Sequence, residues 1–509
     1  MRKSIYLKHL IYIIAVIAQF SCASKEKKAI ALYNSYCASC HILPDIENLP
    51  KHIWEAGVLP DMAARMGIYD STYDPYEKVS RMEEFAIKQS GIYPEKPVMD
   101  IRDWNLLKDY ILKMAKDSLN IHGVITPRKR VSQFRPNPII MDSTKGAFIT
   151  FLAYDSVQKQ IITGNLNRKL IHYDPLTKQV TKTERTEGVP TSYSEQDTLK
   201  YFTYVGYLDP SELPQGSISV IEPSKRKINR SNVQLHRPVH TLVHDFDKDG
   251  NDEVVVCEFG DLTGKLTLLT HKGDFNFQNT VLLNLPGSIK SIAKDMNKDG
   301  KDDLVVLTSQ GREGINIFYQ EEHLKFRMET PIKFSPVYGS SWFEILDYNN
   351  DGHQDIVTVN GDNADNSYFH KPYHGLRIHI NDGNNNFEEV YFYPMNGATR
   401  VVSNDFDQDG DLDFGILSTF PNYDQTPTYS FVYLENKEPN EFLFEPYRMD
   451  TSDLGRWMLM DIGDTDQDGD MDIILGSFSY SFTPVPKLLN EAWKNSDVDL
   501  LILENRLNP

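Results

Sequence analysis

The chain has 509 residues, 40% of them hydrophobic, and a formal net charge of −19. That length and composition fit two or more domains with their own cores, and they exclude a disordered chain or a bundle of membrane spans. The acidic excess argues against nucleic acid as a partner, and much of it is concentrated in five short loops.

At the N-terminus, Arg2, Lys3 and Lys8 precede an apolar run from Leu10 to Phe20. The run is too short to span a bilayer and suits a secretory leader. It ends in Gln19-Phe20-Ser21-Cys22, which resembles a bacterial lipobox, although Gln19 and Phe20 replace the small or aliphatic residues usual there. The resemblance implies that residues 1–22 are a lipoprotein signal with Cys22 lipidated. It further implies an outer membrane lipoprotein facing the periplasm or the cell surface; a plain signal peptide is the alternative.

Cys37-Ala38-Ser39-Cys40-His41 follows. Two cysteines three apart with a histidine directly after them form the attachment site of a c-type haem, in which two thioethers fix the porphyrin and the histidine is an axial iron ligand. A zinc site would need a second Cys/His pair, and a thioredoxin-like dithiol would need a βαβ pattern; the sequence shows neither. The helical opening Ala29 to Tyr36 and the amphipathic segment Asp103 to Met114 flank the motif. Over residues 29–118 this order resembles a small class I cytochrome c. The resemblance implies a small all-α domain, one covalent haem c on Cys37 and Cys40, His41 on the iron and a distal methionine. Met62, Met66, Met82 and Met99 all follow His41. Trp54 before Leu59-Pro60-Asp61-Met62 is similar to the Trp that precedes the ligating Met in such cytochromes, so Met62 is the expected ligand, with Met66 and Met99 as alternatives. Thioether ligation raises the potential and closes the iron to oxygen chemistry, which implies electron transfer.

Residues 119–127 read as a linker and 128–509 as a second domain. Cys257, within Glu253 to Phe259, reads as a small buried apolar residue. Beyond residue 240 an acidic loop recurs five times. Asp245, Asp247, Asp249 and Glu253 occupy positions 1, 3, 5 and 9 of the first copy, and Asp295, Asn297, Asp299 and Asp303 those of the second. The third copy carries Asp347, Asn349, Asp351 and Asp355, the fourth Asp405, Asp407, Asp409 and Asp413, and the fifth Asp464, Asp466, Asp468 and Asp472. Oxygens so spaced converge on one hard cation, with glycine at position 6 for the tight turn. Up to five calcium ions are therefore expected. An EF-hand would need flanking helices and a Glu at position 12; here strand-like runs such as Val254-Val255-Val256 and Ile473-Ile474-Leu475 follow each loop.

Successive loops start 50, 52, 58 and 59 residues apart, the period of a four-stranded propeller blade with insertions. Two degenerate repeats, from Ala147 and through Asp197, lack the acidic ligands and bring the number to seven. The last repeat ends on its third strand, Asp499 to Glu504, so the segment Arg130 to Ile139 is expected to supply its outer strand. The repeats resemble the FG-GAP/VCBS family of calcium-binding propellers, and the expected whole is an all-α cytochrome c domain followed by an all-β seven-bladed propeller.

Counting back five residues from each loop places Thr150, Ser192, His240, Lys290, Trp342 and Arg400 at one channel mouth, with Arg456 somewhat earlier in the seventh repeat. Such a ring favours an anionic, aromatic-stacking or carbohydrate ligand. The second-to-third connections of the last three blades carry Tyr368, Phe369, His370 and Tyr373, then Phe420 and Tyr423, then Phe478, Tyr480, Phe482 and Trp493. These aromatics form either a binding face or the packing of long loops.

The functional expectation is an exported c-type cytochrome that exchanges electrons with a redox partner protein or small-molecule donor, its calcium-stabilised propeller binding a partner or substrate. Two other readings stay open: a calcium-dependent adhesion or glycan-binding propeller with an accessory haem, and a propeller dehydrogenase that passes electrons to the haem.

Overall fold

In the computed structural model the strand-like runs pair in sequence order into seven antiparallel sheets. The structure describes residues 25–69, 73–119, 127–196, 198–225, 227–273, 276–362, 370–423, 426, 429–481 and 483–507. Cys22, Tyr368, Phe369 and Phe482 lie outside the described residues. The chain divides into a helical unit of residues 1–120 with 335–337 and a β unit of residues 121–334 and 338–509. Among the described residues no helix is long and apolar enough to cross a membrane.

The helical unit is built from short elements with explicit ends. Helix Arg81–Ser90 begins at a capping box, in which the Glu83 amide donates to Ser80 Oγ and the Ser80 amide to the Glu83 carboxylate, and it stops at Gly91, whose φ is 70°. Helix Ile101–Met114 is capped by Asp100, which accepts from the Arg102 amide at 2.8 Å. It buries Trp104, Leu107 and Ile111, the helical spacing read from the sequence.

The β unit is a seven-bladed propeller. The second strands of blades 3 to 7, such as Glu253–Glu258, Asp303–Thr308 or Asp472–Ser477, are buried along their whole length. A sheet covered on both faces by its neighbours needs apolar residues at successive positions, which explains runs such as Val254-Val255-Val256. Outer strands such as Gln179–Arg185 are largely exposed.

The ring closes through the segment before the first blade. Strand Phe134–Ile139 pairs antiparallel with Leu500–Asn505 and completes blade 7. Pro136 and Pro138 are tolerated there because an outer edge needs no further amide donor. Phe134 packs edge-on against Phe406 of blade 6, at 5.7 Å between centroids, and against Tyr433 at 5.2 Å. Arg130 departs from the expectation. With Lys129 it pairs parallel to Tyr447 and Arg448 as a fifth strand of blade 6, so the segment bridges two blades.

Candidate functional site

In the helical unit, side chains on either side of the CxxCH motif fix the chain around it. The Tyr33 hydroxyl donates to Pro44 O, and Trp54 Nε1 donates to Ile46 O at 2.9 Å. Cys37 and Cys40 form no disulfide; Cys37 is partly buried against the unit's core and burial pushes its thiol up to about 11, whereas Cys40 is exposed. His41 Nδ1 lies 2.8 Å from Ile42 O, a contact that engages one of the two ring nitrogens.

Met62, on helix Leu59–Arg65, and Met66, one turn later, pack on the same core as Cys37. Met99 is a buried member of that core. A Val98 amide bond to Met66 O, 2.9 Å long, ties the Met99 segment to this place. Gly67 makes that approach possible: a Cβ there would stand 2.7 Å from Lys96 O. Met82 is 68% exposed and stands outside the core. Cys37 and three thioethers share one apolar core, with Cys40 and His41 next to Cys37 in the chain; this donor set fits haem c, which Cys37, Cys40, His41 and a methionine would hold. Met62 and Met66 are both partly exposed and Met99 is buried, so their common cluster keeps all three in contention.

The five acidic loops adopt one geometry. The position-1 carboxylate accepts the amide at position 5 in every loop, from Asp245 with Asp249 at 3.1 Å to Asp464 with Asp468 at 3.1 Å. Position 6 is glycine with φ between 83° and 102°, and a Cβ there would meet nothing. The left-handed backbone, and not lack of space, selects the residue. Carboxylate oxygens converge within 4.8 Å in three of the loops: Asp245, Asp247 and Glu253; Asp405, Asp407 and Asp409; Asp464, Asp466 and Asp468. In the second and third loops Asn297 and Asn349 take the third position, each donating to the position-5 carboxylate. An all-oxygen donor set of this kind fits a hard cation such as calcium.

The sequence did not reveal a second role of position 9. Asp303 accepts the Met296 and Gln320 amides at 3.0 and 2.9 Å, and Asp355 the Tyr348 and Asn381 amides at 2.9 and 2.8 Å. Asp413 and Asp472 repeat the pattern, and Glu253 accepts from the Phe246 amide. These acids are buried and pin each loop to its own blade, and burial pushes Asp413 and Asp472 up to about 7.

Of the channel residues, Lys290, Trp342 and Arg400 come together from three consecutive blades. Lys290 Nζ lies 4.2 Å and Arg400 Cζ 4.4 Å from the Trp342 ring centroid. Lys290 Nζ also donates to Phe343 O at 2.9 Å. His240 Nδ1 sits 3.3 Å from Ser291 Oγ; burial and the Lys290 charge lower its pKa to about 3, so it is neutral. Arg456, expected at the same mouth, does not join them. It is 2% exposed, donates to Tyr480 O and lies over Phe420 at 5.5 Å, because it precedes the inner strand Trp457–Gly463 and packs between loops of blades 6 and 7. The seventh register position belongs to Leu459, and two residues further on stands Asp461. The loop aromatics are mostly packing: Phe420, Phe478 and Trp493 are buried, Trp493 Nε1 donates to Ser452 O at 2.6 Å, and Tyr373 stacks on Tyr338 at 4.7 Å.

Fold and loops define a seven-bladed β-propeller with repeated aspartate loops, preceded by a helical unit. Residues 295–358, which include the second and third acidic loops, match the family described as FG-GAP-like repeat. No curated protein matches the chain. Among solved structures it is similar to the WD40 domain of Neurospora crassa Pan2, with 12% identity and a TM-score of 0.41 over 70% of this chain and 100% of that one. It is also similar to a chain in the S. cerevisiae assembly of dbp5 with nup159 and gle1, with 9% identity and a TM-score of 0.41 over 74% of this chain and 96% of that one. Saccharomyces cerevisiae Sqt1 is 9% identical, with a TM-score of 0.40 over 70% of this chain and 83% of that one.

Proposed function

We propose that the protein is an exported, lipid-anchored c-type cytochrome of the outer membrane whose propeller, stabilised by calcium in its five loops, binds a partner or substrate. The observation that carries this reading is the packing of Cys37, Met62, Met66 and Met99 on one core around the Cys37-Ala38-Ser39-Cys40-His41 motif. Haem c bound there supplies one-electron transfer. Cys37 and Cys40 would hold the porphyrin, and His41, oriented by the Ile42 carbonyl, and Met62 would bind the iron. The surrounding Trp54, Leu59, Trp104 and Leu107 make an apolar wall that keeps water from the group.

Calcium is assigned a structural role, because the loops it would fill are held at the start of the buried second strands. The deciding experiment is a redox titration with absorption spectra on mature protein made in a host able to attach haem c. A low-spin, six-coordinate haem of high potential is expected. A missing or five-coordinate haem would overturn the electron-transfer reading.

A further inference from the structure

The acidic loops are latched to one another around the ring, and one junction lacks its latch. Lys248, at position 4 of the first loop, donates from Nζ to Gly300 O, at position 6 of the second, over 2.9 Å. Lys298, at position 4 of the second loop, lies 3.1 Å from His353 Nδ1, at position 7 of the third. Gln408 of the fourth loop donates to Gly469 O of the fifth at 3.2 Å, and Gln467 of the fifth accepts from Lys159 of blade 1 at 2.8 Å. Position 4 of the third loop is Asn350, whose side chain is shorter than lysine or glutamine. Its backbone is left-handed like the others, yet among the described residues it makes no bond to the fourth loop.

A cavity of about 360 Å³ stands at this junction. Asn350 lines it from blade 5, and Gly410 and Asp411, positions 6 and 7 of the fourth loop, line it from blade 6. Those are the positions that receive the latch in the second, third and fifth loops. The other walls are largely apolar. Ile380 and Val390 stand on the strands Gly375–Asn381 and Phe387–Pro394, and Tyr348 and Phe442 stack at 5.5 Å with 11° between their planes. Phe442 has a left-handed φ of 50°, which a bulky side chain rarely adopts, and the stack holds it there. Tyr348 is fixed in turn by Asn436 Nδ2, which donates to its hydroxyl at 3.1 Å. Walls set in advance spare a ligand the cost of ordering them.

The chemistry of the gap selects its occupant. At three of the four latched junctions the donor is a lysine ammonium, carried by Lys248, Lys298 and Lys159. The fourth loop offers such a donor a stronger acceptor than its neighbours do, a carboxylate at position 7 where the third loop has the His353 imidazole. Among the described residues the Asp411 carboxylate forms no hydrogen bond or ion pair, and its Oδ1 is enclosed. Lys437, the cation that acts on it, is paired with Glu435. Asp405, Asp407 and Asp409 of the same loop add negative charge, and a calcium ion offsets only two of these charges. An anion is therefore repelled, and a bare cation leaves the walls of Tyr348, Phe442, Ile380 and Val390 unused. A cation on an apolar stem matches both parts.

We propose that this cavity binds a primary alkylammonium group, its ammonium taking the place of the missing lysine beside Gly410 O and Asp411 and its stem lying along Tyr348, Phe442, Ile380 and Val390. A free amine and a lysine side chain of a partner both carry that group. The proposal rests on the reading of the propeller as the ligand-binding part and does not depend on haem attachment.

The test is calorimetric titration of the full mature protein, in saturating calcium, with n-butylammonium, with Nα-acetyl-lysine amide and with 1-butanol as an uncharged stem of the same length. At least one amine is expected to bind roughly tenfold more tightly than 1-butanol. Asn350→Lys supplies the latch from within the chain and is expected to weaken amine binding at least about tenfold while raising the melting temperature. Asp411→Asn is expected to weaken it about tenfold. Tighter binding of the lysine amide names a partner's lysine as the source and tighter binding of butylammonium a free amine; either order supports the proposal. A wild-type protein that shows no preference for an amine over 1-butanol overturns it. So does amine binding that is unchanged in Asn350→Lys. That variant leaves loop positions 1, 3, 5 and 9 intact, so it decides the matter even where Asp411→Asn loses calcium or fails to fold. A haem spectrum of the same sample separates this outcome from the electron-transfer reading, because haem-bearing protein that binds no amine removes only the present proposal.

Discussion

The Tyr433 hydroxyl donates a 2.7 Å hydrogen bond to Asp413, the last acid of the fourth loop, from the next strand of the same blade. The Phe406 amide donates to the same carboxylate oxygen, and the Asn436 amide to the other. Asp413 therefore joins the loop, its own strand and the third strand of blade 6. Asp413→Ala strands these buried donors and is expected to cost about 2–4 kcal/mol in urea denaturation, with or without calcium. Asp409→Ala, at an exposed loop position, should matter only when calcium is present.

A chelator should lower the melting temperature of the β unit and leave the haem spectrum intact, since a ligand bound only by the folded state stabilises it by mass action. Melting followed by far-ultraviolet circular dichroism checks this, and an unchanged curve after verified calcium removal refutes a structural role.

Loop composition predicts graded affinities. The loops beginning at Asp405 and Asp464 carry aspartate at positions 1, 3, 5, 7 and 9, whereas those at Asp295 and Asp347 place Asn at position 3 and Lys301 or His353 at position 7. Ligand charge count tunes calcium affinity. Calorimetry on Asn297→Asp should show one of the weaker sites tightened by about tenfold.

Met62→Ala is expected to turn a low-spin haem high-spin. Met99→Ala should keep the low-spin spectrum and instead destabilise the helical unit by about 2–5 kcal/mol, since it empties a buried core position. Absorption spectra and thermal melts of the two variants distinguish the assignments; a spectral change in Met99→Ala alone would transfer the ligand role to Met99.

Glu313 is 4% exposed and accepts from the Ser340 amide and hydroxyl at 2.9 and 2.7 Å, and burial raises its pKa from 4.5 to about 7. Between those values the folded state keeps a proton that the unfolded chain has released, so its unfolding free energy falls as pH rises through the window. Glu313→Gln removes this slope. Relative to wild type, the variant should gain on the order of 3 kcal/mol between pH 4 and pH 8, measured as the difference between paired denaturation curves.

The seven-fold repeat and the five loops were legible in the sequence because both are local. Strand periodicity, a glycine at a left-handed turn and oxygens two residues apart are properties of ten-residue windows, and the model bears out the seven blades and the common loop geometry. The outer strand Phe134–Ile139 could be anticipated because a blade missing one edge requires a partner. The sequence did not show that Lys129 and Arg130 stop in blade 6, that position-9 acids hold the third strand, or that Arg456 packs over Phe420 and donates to Tyr480 O. Each depends on which distant segment lies opposite, and a local pattern carries no information about that. Closing the ring brings Lys290 and Arg400 from two separate repeats to 4.2 and 4.4 Å from the Trp342 ring of a third, a relation that only the tertiary structure could decide.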